Sequence, residues 1–159
     1  MGRFDRLFHP RMRDEKHRGD WAEAAFSAKA MGQGLTVCRP MGENEPFDFV
    51  VYNVRRAMNR VQVKSAWKRW RGKYQITSGR GGFKRADIDF VVVAIPDADV
   101  WYVIPVDAIA GCKGAAFAPH NPKSKRKYEQ YREAWHLLTG DEPGAWARYQ
   151  RFTIHAGTE

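Results

Sequence analysis

The sequence predicts an α/β domain in which a mixed sheet of four to five strands is flanked by helices. An alanine-rich stretch with helical spacing comes first, alternating or apolar runs bounded by turn residues follow, and a second stretch with helical spacing lies near the C-terminus. A chain of 159 residues is long enough to bury a core, so we expect a single domain over residues 1–159. Within it, we expect a basic N-terminal arm over residues 1–17 and a C-terminal tail over residues 141–159.

The first helix is predicted over residues 19–34, where the sequence reads GDWAEAAFSAKAMGQG. Asp20 can cap its start, alanine dominates its interior, and Gly32 or Gly34 ends it. Its apolar stripe consists of Trp21, Ala24, Ala25 and Ala28. Glu23 therefore lies on another side of this helix.

Five strands are predicted in the middle of the chain. They cover residues 35–40, 47–54, 60–67, 87–95 and 100–106. In the second strand, Phe47, Phe49 and Val51 share one face. The last two strands are strongly apolar, which indicates central positions, and the PDAD turn between them predicts an antiparallel hairpin.

Two further segments complete the predicted order. Residues 68–85 are basic and glycine-rich, and their middle is either a strand or a mobile loop. A second helix is predicted over residues 123–140, and Gly140 ends it. Its apolar residues at helical spacing are Tyr128, Tyr131, Trp135 and Leu138.

Positive charge is concentrated in one part of the chain. The sequence has 27 lysines and arginines against 18 aspartates and glutamates, a formal net charge of +9. Residues 55–85 contain eleven basic residues and no acidic one, whereas residues 86–112 contain five acidic residues and no basic one. A merely solvated basic face is the alternative, but such a surface normally mixes its signs, so the block predicts nucleic acid as the leading partner. The candidate DNA contacts are Arg60, Lys68, Arg69, Arg71, Lys73, Arg80, Lys84 and Arg85.

The sequence also predicts where the protein works. It has no apolar run of the roughly 18 residues that a membrane span needs, and residues 1–20 lack the apolar stretch of a secretory signal. Cys38 and Cys112 show no Cys-x-x-Cys spacing, fit a reducing compartment, and are predicted to be packing residues. We therefore expect a cytoplasmic, nucleoid-associated protein with no membrane partner.

Four polar residues stand on the predicted helix and strands. Glu23 lies on the helix, Asp48 on the second strand, and Gln62 and Lys64 on the third, on the face opposite its inward valines. A short turn joins the two strands, so we expect an antiparallel pair that brings Asp48 near Gln62 or Lys64, about 5 Å apart if directly opposed. Oxygen ligands of this kind suit Mg²⁺, and an adjacent ammonium group can orient a water and stabilise charge at a phosphate. The pattern predicts a Mg²⁺ site, in which Mn²⁺ would substitute, beside a phosphodiester bond.

These residues resemble the PD-(D/E)xK nuclease superfamily. The likeness lies in RGDWAE, which contains Glu23, in PFD, which ends with Asp48, and in QVK, which spans Gln62 to Lys64. The later stretch DFVVVAIPDADVWYVIPVDAI is similar to the strands that complete the sheet in intron-associated members.

The sequence departs from the superfamily motif at two places. Pro46 and Asp48 are separated by one residue, and Gln62 stands where Asp or Glu is usual. The glutamine resembles the PD-(D/Q)xK pattern of homing endonucleases. Arg18-Gly19 ahead of the helix glutamate is similar to Holliday-junction resolvases.

The resemblance implies a restriction-endonuclease-like core and roles for the site residues. Glu23, Asp48, Gln62 and the backbone carbonyl of Val63 would hold Mg²⁺, and Lys64 would act on the attacking water. Two carboxylates about 4 Å apart repel by roughly 4 kcal/mol at an effective dielectric near 20. Because Gln62 avoids adding a third carboxylate, we expect one well-occupied Mg²⁺ site of modest affinity.

We therefore expect a Mg²⁺-dependent endonuclease that cuts double-stranded DNA, similar to homing endonucleases. Cutting both strands takes two active sites, which predicts a homodimer, and the resemblance makes a homotetramer consistent as well. Two alternatives stay open. One is a Holliday-junction resolvase with the same chemistry, and the other is a non-catalytic DNA-binding protein with a decayed nuclease site, for which Gln62 is the evidence.

Overall fold

The computed structural model describes residues 8–67, 69, 70, 73–79, 81–121, 123 and 125–141, with backbone alone for residues 69 and 70. Residues 1–7 of the predicted arm and 142–159 of the predicted tail lie outside the described residues. Within the described residues, no helix is both long and apolar enough to cross a membrane.

One long helix, α1 (Glu15–Gly32), opens the fold. It begins earlier than predicted because the carboxylate of Asp14, not of Asp20, accepts a hydrogen bond from the His17 amide at 2.7 Å and caps the first turn. A 3₁₀ turn, Pro10–Arg13, precedes it and buries Met12. The part of the predicted arm that is described therefore packs on the domain as helix and turn.

In the described part of the chain, eight strands follow in two sheets. They are β1 (Thr36–Cys38), β2 (Phe49–Tyr52), β3 (Met58–Ser65), β4 (Arg69–Trp70), β5 (Lys73–Thr77), β6 (Phe90–Ile95), β7 (Val100–Pro105) and β8 (Gly114–Phe117). The larger sheet has the order β1-β2-β3-β6-β7, in which β3 and β6 are parallel and the other pairs antiparallel. The predicted mixed α/β sheet of four to five strands is confirmed.

The smaller sheet was only partly predicted. The sequence left open whether the middle of the basic, glycine-rich segment is a strand or a loop. It is a strand, β5, which pairs antiparallel with β4 and β8. The sequence analysis missed β8, whose four residues GAAF carry too little pattern to predict a strand. This sheet matters for function because β5 lines a cleft described below.

The core lies on both faces of the larger sheet. On one face, α1 packs Ala22, Phe26 and Ala30 against residues of β2 and β3, among them Val61 and Val63 as predicted. On the other face, apolar side chains of β6 and β7 pack against β5 and β8. Consecutive β6 residues alternate between the two clusters, which explains why this strand is apolar throughout.

The hairpin of β6 and β7 is confirmed, but β7 is not central. It is the last strand of the sheet, although both of its faces are buried. Its outer edge is covered by a later segment, in which Arg132 forms a bridge with Tyr102. An edge strand that is covered in this way can be as apolar as a central one, because water reaches neither its faces nor its full edge.

The prediction of one helix over residues 123–140 is wrong. The chain forms a 3₁₀ turn, Glu129–Tyr131, and a short helix, α3 (His136–Thr139); a third helix, α2 (Val106–Ile109), follows β7. Between turn and helix, Glu133 has φ = 48° and its carboxylate accepts hydrogen bonds from the Trp101 amide (2.7 Å) and the Trp135 indole (2.9 Å). The helical spacing instead reflects side chains that are buried one by one as the segment crosses the edge of β7.

Two smaller predictions are also corrected. Phe47 packs with the cluster under β5 rather than with Phe49 and Val51, because β2 begins only at Phe49. Cys38 is exposed and so is not a packing residue, whereas Cys112 is partly buried against the core.

Candidate active site

The four predicted site residues converge on one cleft. Glu23 projects from α1, Asp48 directly precedes β2, and Gln62 and Lys64 lie on β3. All four line a cavity of about 480 Å³, together with Val63. Its opposite wall is formed by Gln75, Ile76 and Thr77 of β5. Residues 41 positions apart in sequence thus share one space, because α1 packs across the sheet where β2 and β3 meet.

Asp48 is fixed by hydrogen bonds to β3. Its amide donates to the Val61 carbonyl at 2.9 Å, and its carboxylate Oδ2 accepts from the Val63 amide at 2.7 Å. The regular ladder between β2 and β3 ends at Phe49, so the Asp48 side chain replaces a main-chain acceptor for Val63. The other carboxylate oxygen has no hydrogen-bond partner among the described residues and is free to bind a ligand.

Burial raises the pKa of Asp48 above its ordinary value. The hydrogen bond from Val63 opposes this shift, as do the positive charges of Lys64 and Arg39. Desolvation penalises the charged form of a carboxyl, whereas a donor or a cation stabilises it. The site therefore holds a carboxylate whose charge is incompletely compensated.

Glu23 is electrostatically coupled to Asp48. Burial, and then the negative charge of Asp48, raise the pKa of Glu23, and the positive charge of Arg39 opposes the shift. Arg39 forms an ion pair with Glu23, with 2.6 Å between Nη2 and Oε2. A carboxylate whose pKa is raised by burial and by a neighbouring carboxylate favours binding of a cation.

Gln62 and Lys64 are half-buried on β3, in the middle of the sheet. They pair in register with Val91 and Val93 of the parallel strand β6, which fixes their backbone. Lys64 forms no salt bridge with any residue that the structure describes. Its ammonium group is therefore available to a substrate.

The donor set fits a single hard divalent cation. It consists of two carboxylates, the amide oxygen of Gln62 and the backbone of Val63, which are oxygen ligands of the kind that Mg²⁺ prefers. In the described part of the chain, no three side chains of His, Cys, Asp or Glu come together as a metal-binding group. The described residues that line the cleft include no histidine or cysteine, the ligands that softer ions prefer.

The predicted DNA contacts differ in how far their charges are available. Arg60 is engaged inside the protein: it forms an ion pair with Asp89 at 3.0 Å and donates to the carbonyls of Ala86 and Arg85. Arg85 is paired with Asp107, Lys84 is exposed, and Lys73 is half-buried on β5. Lys68, Arg71 and Arg80 lie outside the described residues, as does the side chain of Arg69.

The sequence analysis missed several residues at the cleft. Arg39 immediately follows β1, and the register of Cys38 with Val50 brings it beside the strand that Asp48 precedes. Only the pairing of β1 with β2 reveals this, because nothing in the local pattern marks Arg39. Gln75 and Thr77 were missed because β5 could not be distinguished from a loop.

One family model and two solved structures are similar to this chain. A model of the PD-(D/E)XK endonuclease family matches residues 13–138. The solved structure of the bacterial homing endonuclease I-Ssp6803I is similar with a TM-score of 0.68 and 26% identity, over 88% of this chain and 99% of that one. The Holliday junction resolvase Hjc of Archaeoglobus fulgidus is similar with a TM-score of 0.46 and 17% identity, over 71% of this chain and 88% of that one. No curated protein matches the chain significantly.

The family match spans the elements that build the cleft, from the turn before α1 to the last residues of α3. The structural match to the homing endonuclease covers 99% of that protein. The predicted superfamily and its restriction-endonuclease-like core are therefore confirmed. The chain belongs to the PD-(D/E)XK endonuclease family.

Proposed function

We propose that the protein is a Mg²⁺-dependent endonuclease that hydrolyses phosphodiester bonds of double-stranded DNA, in the manner of a homing endonuclease. The observation that carries the proposal is the convergence of Glu23, Asp48, Gln62 and Lys64 in one cleft. The similarity to a solved homing endonuclease at 26% identity supports the biological class.

The proposed roles follow from the chemistry of each group. Glu23, Asp48, Gln62 and the Val63 carbonyl would hold the cation, whose positive charge would supply Lewis acidity at the phosphate. The Lys64 ammonium would orient the attacking water and donate to a phosphate oxygen on which negative charge develops. The Val63 amide keeps Asp48 in place while this happens, because it holds one carboxylate oxygen at 2.7 Å.

Double-stranded DNA is proposed as the substrate because of the charge distribution. Every charged residue between positions 55 and 85 is basic. These residues include Lys64 on one wall of the cleft and Lys73 on β5. A segment that carries one sign of charge and borders the cleft attracts a polyanion towards the reacting groups. We propose that two copies act together as a homodimer, or four as a homotetramer, because two strands require two sites.

Nicking of supercoiled plasmid tests the function directly. The wild type should nick in Mg²⁺ or Mn²⁺ and not in EDTA. Lys64→Ala should lose at least about a hundredfold in nicking rate, the loss expected when a general catalytic group is removed. Lys29→Ala is the matched control, because Lys29 is exposed on α1 and does not line the cleft.

Binding must be measured beside cleavage. In Ca²⁺, Lys64→Ala should shift duplex DNA in a gel at the same protein concentration as the wild type. If the wild type binds duplex but never nicks it, the protein is a binding protein with a decayed site. If it cuts a four-way junction and spares linear duplex, it is a resolvase and the homing assignment is wrong.

A further inference from the structure

We propose that Arg39 is a positioning residue of this cleft, which fixes the Glu23 carboxylate and sets how tightly the site binds a divalent cation. The inference rests on the proposed function and extends it to a residue outside the PD-(D/Q)xK motif. It is carried by one ion pair, one ring contact and the distribution of charge around two carboxylates.

The ion pair joins two elements at the rim of the site. Arg39 follows the edge strand β1, Glu23 lies in the middle of α1, and Nη2 stands 2.6 Å from Oε2. A contact this short between charged groups is a charge-assisted hydrogen bond, which fixes direction as well as distance. One oxygen of Glu23 is thereby held by Arg39, whereas the other has no hydrogen-bond partner among the described residues.

The guanidinium group is itself held in place. Its Cζ lies 5.7 Å from the ring centroid of Phe49, a residue that is 3% exposed and packs under α1. A cation at this distance from an aromatic ring is attracted to the ring. The Arg39 side chain is largely exposed, yet it is constrained by contacts to Glu23 and to the core.

Glu23 and Asp48 lie between two cations. They line the catalytic cleft, which contains Lys64, and they also line a second cavity of about 580 Å³, which contains Arg39. Lys64 is absent from the lining of the second cavity and Arg39 from that of the first. The cation on the substrate side can therefore engage a phosphate while Arg39 continues to hold Glu23.

Charge arithmetic gives the expected direction of the effect. The charges of the two carboxylates, Lys64 and Arg39 sum to zero, so the two basic side chains offset part of the attraction that the carboxylates exert on a divalent cation. Removal of Arg39 leaves a net charge of −1, which should tighten cation binding by roughly tenfold for charges several ångströms apart in a partly buried site. The same removal releases Glu23, so the rate at saturating metal should fall.

The test is a titration of the full-length protein with Mn²⁺ in the absence of DNA, followed by nicking rates at saturating Mn²⁺. For Arg39→Gln, we expect an approximately tenfold lower Kd for Mn²⁺ and an approximately tenfold lower saturating rate. For Arg39→Lys, which keeps the charge, we expect a Kd within about twofold of the wild type and partial recovery of the rate. If Arg39 had a purely structural role, Arg39→Gln would lower both the Mn²⁺ affinity and the saturating rate. Arg39→Lys would then not separate the two effects.

Arg132→Gln is the matched control. It removes the same charge from an ion pair with Glu129 at 3.0 Å, beside the opposite edge strand β7. It should leave both the Mn²⁺ affinity and the saturating rate unchanged. A thermal melt of each variant checks that it is folded.

The outcomes separate this inference from the proposed function. If Arg39→Gln binds Mn²⁺ no more tightly than the wild type, or nicks at the wild-type saturating rate, the inference is wrong while the function stands. If the wild type binds Mn²⁺ but cuts no DNA, the function is wrong, and the shift in Kd still decides whether Arg39 sets cation affinity.

Discussion

The two oxygens of the Asp48 carboxylate differ in their contacts. One oxygen accepts from the Val63 amide, and the other has no partner among the described residues. Burial raises the pKa of this carboxyl, which means that the folded protein disfavours its charge relative to the unfolded chain. The proposed reaction therefore depends on a residue that weakens the metal-free fold.

Asp48→Asn should show this conflict. The amide oxygen of asparagine can still accept from Val63, but the buried charge is gone, so the melting temperature of the metal-free protein should rise by a few degrees. Mn²⁺ affinity should fall at least about tenfold, because one anionic ligand is lost. Differential scanning calorimetry and a Mn²⁺ titration measure the two effects. Asp141→Asn, at an exposed aspartate, should change neither.

Gln62 limits the negative charge of the cleft. A third carboxylate at this position would add repulsion of roughly 4 kcal/mol for a pair about 4 Å apart at an effective dielectric near 20. We expect Gln62→Glu to bind Mn²⁺ more tightly and to cleave DNA more slowly, because the added charge holds the cation and repels the phosphate. Unchanged cleavage at saturating Mn²⁺ would show that the amide is not tuned to this site.

At the scale of elements, an ion pair joins β3 to β6 where their parallel pairing begins. Arg60 lies on β3, and Asp89 directly precedes β6. The Asp89 carboxylate accepts from the Arg60 amide at 2.7 Å and pairs with its guanidinium at 3.0 Å. The Arg60 hydrogen bond is the main cause that lowers the pKa of Asp89, against a smaller effect of burial.

This pair predicts a specific pH dependence of stability. Because the pKa of Asp89 is lower in the folded than in the unfolded protein, its contribution is present above the unfolded pKa and disappears as pH falls through the lowered folded value. Both side chains are about one-third exposed (33% and 35%), so we expect less than about 1 kcal/mol. Urea unfolding from pH 7 to pH 3 should show that Asp89→Asn is less stable than the wild type at neutral pH and that the gap narrows as pH falls below 4. A gap of constant size over this range would assign the effect to geometry rather than charge.

The elements that the sequence predicted well are those whose pattern and environment are local. Val61 and Val63 alternate with Gln62 and Lys64 because one side of β3 packs under α1, and this alternation is visible in the sequence itself. The incorrect prediction of a helix over residues 123–140 rested on an equally regular spacing of apolar residues. There the spacing came from contacts with β7, which are long-range, and Glu133 at φ = 48° interrupts any helix.

The candidate site was predictable for a related reason. Asp48, Gln62 and Lys64 lie on adjacent antiparallel elements, so a short turn implies their proximity. Arg39 could not be found in this way, because its position depends on which strand pairs with the far side of β2. The wall formed by β5 depends on a second sheet, in which β5 pairs with β8. The paired residues Thr77 and Gly114 are 37 positions apart in the sequence.

For the whole molecule, the asymmetry of charge should govern DNA affinity. If about six basic residues contact phosphates, affinity for duplex DNA should fall by about three orders of magnitude between 50 and 200 mM salt. Lys84→Ala removes an exposed charge of the basic block and should reduce the log–log slope by about 0.9, whereas Lys29→Ala should leave the slope unchanged. Fluorescence anisotropy at several salt concentrations measures both slopes. A flat salt curve would contradict DNA binding through this block.

The two sheets meet at the cleft but are hydrogen-bonded separately. On β5, Tyr74 and Ile76 are buried in the core, whereas Gln75 and Thr77 alternate with them and are exposed at the cleft wall. Protein engineers could therefore randomise these two positions to seek a new target preference without removing a core side chain or moving the strand that bears Gln62 and Lys64. The sheet that bears the proposed catalytic residues can stay constant while the second sheet diversifies.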